Sequence, residues 1–118
     1  MKRLLQIFTT SLLGLVSISG FSQDTCQVLI PELEGFYEGK CKNGLANGNG
    51  HAKGTDEYQG KFKNGLPHGA GKYIWSTGET YDGNWRYGKK DGKGTYTILI
   101  NEKDSVTNGI WENDRFVQ

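Results

Sequence analysis

One stretch, Tyr58 to Trp75 with the sequence YQGKFKNGLPHGAGKYIW, recurs along the chain and limits what it can fold into. Its positions Tyr58, Gly60, Phe62, Gly65, Gly69 and Gly71 return upstream as Tyr37, Gly39, Cys41, Gly44, Gly48 and Gly50. Downstream they return as Tyr81, Gly83, Trp85, Gly88, Gly92 and Gly94. The three tyrosines lie 21 and 23 residues apart, a period that belongs to stacked repeat arrays rather than to globular enzymes. A decayed fourth copy puts Thr107, Gly109 and Trp111 at the tyrosine, glycine and ring positions. The expected units are 37–57, 58–80, 81–106 and a partial 107–118.

Within a unit, two runs of alternating residues, Tyr58 to Lys63 and Gly69 to Trp75, flank a short loop, Asn64 to His68. Asn43-Gly44 and Asn64-Gly65 are turn pairs that accept positive φ, so each unit reads as a β-hairpin; Tyr87-Gly88 keeps only the glycine. Alternation sends one parity to each face of a strand. One face holds Tyr37 and Gly39; Tyr58, Gly60, Phe62, Gly69, Gly71, Tyr73 and Trp75; Tyr81, Gly83, Trp85, Gly92, Gly94, Tyr96 and Ile98; then Gly109 and Trp111. With 18 glycines and 35% apolar residues, no thick aliphatic core is available. The core expected instead is a ring from one hairpin resting on bare glycine backbone of the next. Those rings are structural on this reading; the competing reading makes them a stacking surface for a ligand such as a sugar.

The other parity carries Lys40, Lys42, Lys53, Lys61, Lys63, Lys72, Arg86 and Lys93, with His51, against Glu38, Asp82 and Glu112. The remaining acids gather in the lead-in, as Asp24, Glu32 and Glu34, and in connecting loops, as Asp56, Glu57 and Glu79. Eight cations on one face would draw an anionic partner at low salt. The plainer account is a solvated face whose lysines discourage edge-to-edge aggregation.

Residues 1–22 read as a cleaved secretory signal: a basic start at Lys2 and Arg3, a largely apolar run from Leu4 to Ile18, and small residues at Ser19, Gly20 and Ser22. An uncleaved anchor is the alternative, but 15 residues fall short of the roughly 20 that span a bilayer. Cleavage before Gln23 would leave 96 residues with twelve basic against thirteen acidic groups, so total charge points to no partner. The expected location is a periplasm or the cell exterior. There Cys26 and Cys41, the only cysteines, would pair rather than remain two buried thiols, fastening the lead-in 23–36 over the ring face where Cys41 replaces a ring. Val28, Leu29 and Ile30, stopped by Pro31, read as a short edge strand or cap over the open end of the array.

The pattern YxGxF/W, then NG or its remnant, then GxG, over roughly residues 37 to 114, resembles the MORN repeat family (membrane occupation and recognition nexus). The resemblance implies an all-β fold of tandem hairpins in an elongated, twisted, antiparallel single-layer sheet. It also implies a protein-interaction or membrane-associated module rather than an enzyme. Nothing in the residues argues for catalysis. His68 occupies the slot of Asn47 and Asp91, where a polar side chain bonds turn backbone. His51 has no partner at a catalytic spacing, and the GxG pairs lack the helix, lysine and hydroxyl of a phosphate loop. No metal, cofactor, nucleic acid or small-molecule substrate is expected. The first functional expectation is a scaffold binding another protein through the sheet, with self-association through the array ends open. The second is binding to anionic lipid or polymer through the lysine face, and the third is an enzyme.

Overall fold

The computed structural model describes residues 26–118; the expected signal segment lies outside them. Eight strands follow in chain order: β1 (Phe36–Lys42), β2 (Leu45–Lys53), β3 (Glu57–Lys63), β4 (Leu66–Ile74), β5 (Thr80–Arg86), β6 (Lys89–Ile100), β7 (Lys103–Glu112) and β8 (Arg115–Phe116). Each pairs antiparallel with the next in one open sheet ordered β1 to β8. The expected all-β architecture of tandem hairpins is therefore the observed one.

The loops are tighter than the five residues expected. Only Asn64 and Gly65 connect β3 to β4, at φ 50° and 84°, and Leu66, Pro67 and His68 belong to the second strand. Two successive left-handed residues make the turn whose twist matches the flanking strands. Asn43-Gly44 repeats this geometry, and Tyr87 (φ 45°) with Gly88 adopts it without an asparagine.

The first three hairpins break register at the same place. Gly60 faces Gly71 and Phe62 faces Pro67, so Lys61 alone stands against His68, Gly69 and Ala70, and β4 carries the bulge; β2 and β6 bulge in the same way opposite Lys40 and Asn84. A bulge strands a carbonyl from the ladder. The tyrosine three residues earlier satisfies it: Tyr37, Tyr58 and Tyr81 donate to the carbonyls of Lys40, Lys61 and Asn84 at 2.6, 2.9 and 3.2 Å. To reach it, each ring lies flat across the second glycine of the GxG pair, Gly50, Gly71 or Gly94, where a methyl group would overlap the ring. Ring over glycine is thus the core contact, but it is made within a hairpin and not, as expected, between one hairpin and the next.

The first GxG glycine also departs from expectation. Gly48, Gly69 and Gly92 sit at φ 96°, 100° and 102°, against the side chains of Lys40, Lys61 and Asn84 rather than under rings. Their role is the left-handed backbone at the centre of each bulge.

Between hairpins the junction is made by Phe62, Trp85 and Trp111. Phe62 and Trp85 meet the repeat tyrosines of their own and the preceding unit edge to face, and Trp111 meets Tyr81 and Tyr96 of the preceding unit, with centroids 5.0–5.8 Å apart, the favourable aromatic geometry. The two indoles also donate to the carbonyls of Gly71 and Gly94 at 3.0 and 3.2 Å. Tyr58 and Tyr81 are completely buried. Burial raises their hydroxyls, that of Tyr81 to about 12, so they remain donors across the physiological range.

The acids Asp56 and Glu79 are not free loop charges. Asp56 is buried and accepts from the Tyr73 hydroxyl at 2.7 Å and the Ser76 amide at 2.9 Å, and Glu79 accepts from the Tyr96 hydroxyl.

The lead-in is neither an edge strand nor an end cap. Cys26 is bridged to Cys41 with Cα atoms 5.7 Å apart. Gln27 then exchanges backbone bonds with Gly44 and Ala46, and the Leu29 amide bonds the Gly65 carbonyl. A 3-10 turn, Pro31–Leu33, buries Leu33 against the rings, and the Glu32 carbonyl accepts from the Asp56 amide. The segment is a strap across the ring face, and among the described residues nothing pairs with the outer edge of β1.

Gly71→Ala is expected to cost about 1–3 kcal/mol, since the Tyr58 ring must leave its bed; an unchanged urea midpoint would contradict the packing. Replacing Cys26 and Cys41 by serine frees a loop of 15 residues and is expected to cost about 3 kcal/mol. The same denaturation series, with and without reductant, reads it.

Candidate functional site: the lysine face and the ring face

All eight cations singled out from the sequence are exposed, and strand alternation carries them away from the rings. Lys42, Lys63 and Arg86 end β1, β3 and β5 just before the turns, forming a row with a step of two strands, about 9–10 Å. Lys40 and Lys61 stand opposite the bulges, their methylenes resting over Gly48 and Gly69. The far end of the face is partly neutralised. Glu57 lies in β3 rather than in a loop, making a fourth acid beside Glu38, Asp82 and Glu112. It meets His51 Nε2 at 2.6 Å and Lys53 Nζ at 3.7 Å. The hydrogen bond with His51, aided by the Lys53 charge, holds the Glu57 carboxyl below its usual range. Lys72 stands opposite Asp82 across the β4–β5 ladder. Among the described residues, Lys40, Lys42, Lys61, Lys63, Arg86 and Lys93 make no ion pair.

His68 performs the turn role expected of it. Its Nδ1 accepts from the Tyr87 amide at 3.1 Å, as Asn47 accepts from the Asn64 amide and Asp91 from that of Asn113. Beside each of these, the carbonyl of Ala46, Pro67 or Lys90 accepts from the second amide of the next turn. Adjacent turns are thereby stapled twice. No group of three potential metal ligands converges among the described residues, nor is any helix there long and apolar enough to cross a membrane.

One feature of the ring face escaped the sequence reading. Lys90 occupies the slot held by Ala46 and Pro67, with its Nζ 5.4–5.9 Å from the ring centres of Trp75, Tyr81, Tyr96 and Trp111 and 3.6 Å from Asp114. Four rings and a carboxylate surround one ammonium, so this lysine is a core group rather than part of the exposed cation field. Its signal was a charged residue in a slot that is apolar in the other copies.

With hairpin, bulge and glycine bed repeating in register, comparison with known families becomes decisive: the MORN repeat matches residues 37–56, 58–80 and 81–98. The chain belongs to the MORN repeat family. A comparison with curated proteins finds no match. The third matched segment ends at residue 98, short of the expected 106, because the MORN pattern stops where β6 and β7 run on as a longer hairpin to the Asn101-Glu102 turn. Family and fold are consistent with a module that binds or scaffolds.

Burial, then the charges of Lys63 and Arg86, lowers the His68 pKa below its ordinary value of 6.5. The folded array therefore binds fewer protons than the unfolded chain near and below that value. The His68 contribution is complete above pH 6.5 and is lost as the pH falls through the lower folded-state pKa. Compared with His68→Asn, which keeps an acceptor, the native chain is expected to lose more stability between pH 7.5 and pH 5. Parallel urea midpoints for the two proteins would contradict this.

Proposed function

We propose that this MORN array is a non-enzymatic binding and scaffold module of the cell envelope that engages another protein through its repeat sheet. The supporting observation is that the sheet has a single layer. Rings and strap cover one face, while on the other nothing in the described chain covers the polar side chains of all four hairpins. A stiff surface with a fixed repeat suits recognition of an extended partner. Export, which the basic and apolar N-terminal segment suggests, accords with the Cys26–Cys41 bridge, since such bonds persist in oxidising compartments.

The row Lys42, Lys63 and Arg86, free of ion pairs, favours a second reading: attachment to anionic lipid or polymer. A lysine held near an anionic membrane contributes about 1 kcal/mol. On that second reading, reversing Lys61 and Lys63 to glutamate would weaken vesicle binding by at least roughly 30-fold.

Crosslinking of the full chain in an envelope fraction, alongside co-sedimentation with neutral and anionic vesicles at two salt concentrations, tests both. The protein-binding reading expects a discrete protein adduct through the lysine face and no salt-sensitive vesicle binding. Vesicle binding that needs anionic lipid, fails at high salt and is abolished by Lys61→Glu with Lys63→Glu would replace it with the lipid reading.

A further inference from the structure

Inside the array, β3, β5 and β7 each have an even-numbered strand on the side away from their own hairpin, and all three junctions share one register. Gly48, Gly69 and Gly92 lie opposite Phe62, Trp85 and Trp111; Gly50, Gly71 and Gly94 lie opposite Gly60, Gly83 and Gly109. Two positions further on, Ala52, Tyr73 and Tyr96 oppose Tyr58, Tyr81 and Thr107. The bulge that breaks β3 from β4 leaves this outer side regular, for Lys61 is paired with Asn49 there without interruption. The odd-numbered strands therefore present an intact ladder edge outward.

Strand β1 repeats the pattern at the same steps with Tyr37, Gly39 and, in the ring slot, Cys41, and it faces the same bulge toward β2, but among the described residues no strand lies on its outer side. The strap does not supply one. It crosses the ring face and leaves a cleft of about 620 Å³ lined by Val28, Leu33, Phe36 and Tyr37 among others, running beside β1 as far as Gly39. Phe36 is half exposed there. On the opposite face Glu38 stands where Asp82 stands in β5, and Asp82 is matched across its junction by Lys72.

We propose that the outer edge of β1 accepts one extended strand from a partner protein, antiparallel, with the pattern Gly-x-Gly-basic-aromatic. The two glycines fall opposite Cys41 and Gly39, the basic residue opposite Glu38, and the aromatic opposite Tyr37, where it enters the cleft beneath the strap. Three features set this pattern: the register of the internal junctions, the unmatched charge of Glu38, and the cleft on the ring side. Backbone bonding provides attachment and the alternate pockets provide selectivity, as in other strand-addition interfaces. The inference rests on the protein-binding reading and narrows it to one edge and one kind of segment.

The test uses the full disulfide-bonded chain and a synthetic peptide with the sequence of residues 66–75, LPHGAGKYIW, which carries the pattern at Gly69, Gly71, Lys72 and Tyr73. Calorimetry is expected to register binding, and hydrogen exchange to slow at amides of Phe36 to Lys42. Glu38→Lys turns an opposite-charge cross-strand pair into a like-charge one and is expected to weaken binding about tenfold. A peptide with glutamate in place of its lysine should restore binding to that variant. Absence of binding, protection confined to other strands, or failure of the charge swap overturns the proposal. So does concentration-dependent self-association that protects β1 without peptide, since the occupant is then a second copy. A protein adduct through the lysine face together with a silent β1 edge would sink this inference while leaving the wider reading intact.

Discussion

The array depends on a tyrosine ring laid across a glycine so that its hydroxyl reaches a carbonyl expelled from the ladder by a bulge. Three requirements meet there. The bulge needs an acceptor satisfied, the ring needs a strand without a Cβ beneath it, and the first GxG glycine must take a left-handed φ within the bulged stretch. Removing any one leaves the other two costly. This is why glycine, normally a weak strand former, recurs here where a sheet would usually carry β-branched residues.

From this contact the rest propagates in one dimension. Tyr58 and Tyr81 each meet the ring of their own first strand and that of the next unit, and Tyr37 meets that of the next unit, so Tyr37, Phe62, Tyr58, Trp85, Tyr81, Trp111 and Phe116 form a continuous edge-to-face series. The turns provide a second line, through the paired bonds that Asn47, His68 and Asp91 and their neighbouring carbonyls make to the following hairpin. A sheet one side chain thick is thus held along two parallel tracks, one apolar and one polar. The lysine face takes part in neither, apart from the methylenes of Lys40 and Lys61, and so is available for recognition.

Much of this was legible because the constraint is periodic. Repeated tyrosine, glycine and turn positions specify hairpin, face and order, and the pairing of Cys26 with Cys41 was readable from an even pair in which one member replaces a ring. What stayed hidden depends on register. Alternation alone assumes an unbroken ladder, whereas the bulges opposite Lys40, Lys61 and Asn84 take Gly48, Gly69 and Gly92 out from under the rings and put the tyrosine on its own hairpin. Asp56 and Glu79 read from the sequence as loop acids, although each lies two residues before a first-strand tyrosine and 17 residues before the tyrosine it receives a bond from. That spacing recurs in two copies and is absent from the first, where Gly35 and Ala52 stand instead. It was a readable signal, masked by the habit of assigning loop carboxylates to solvent.

The strap gives the two ends of the molecule different fates under load. Contacts in a repeat array usually join nearest neighbours, so units can peel away singly from either terminus. Here the segment after Cys26 touches the turns at Gly44 and Gly65, and Ile30 approaches the turn at Gly88, lashing the first three hairpins together. The leading end cannot fray one unit at a time without first shedding this lashing. Around β8, among the described residues, the bonds stay within the last hairpin or join it to its neighbour, as from Val117 to Ile110 and from Asp114 to Lys90, so that hairpin can open without disturbing the others.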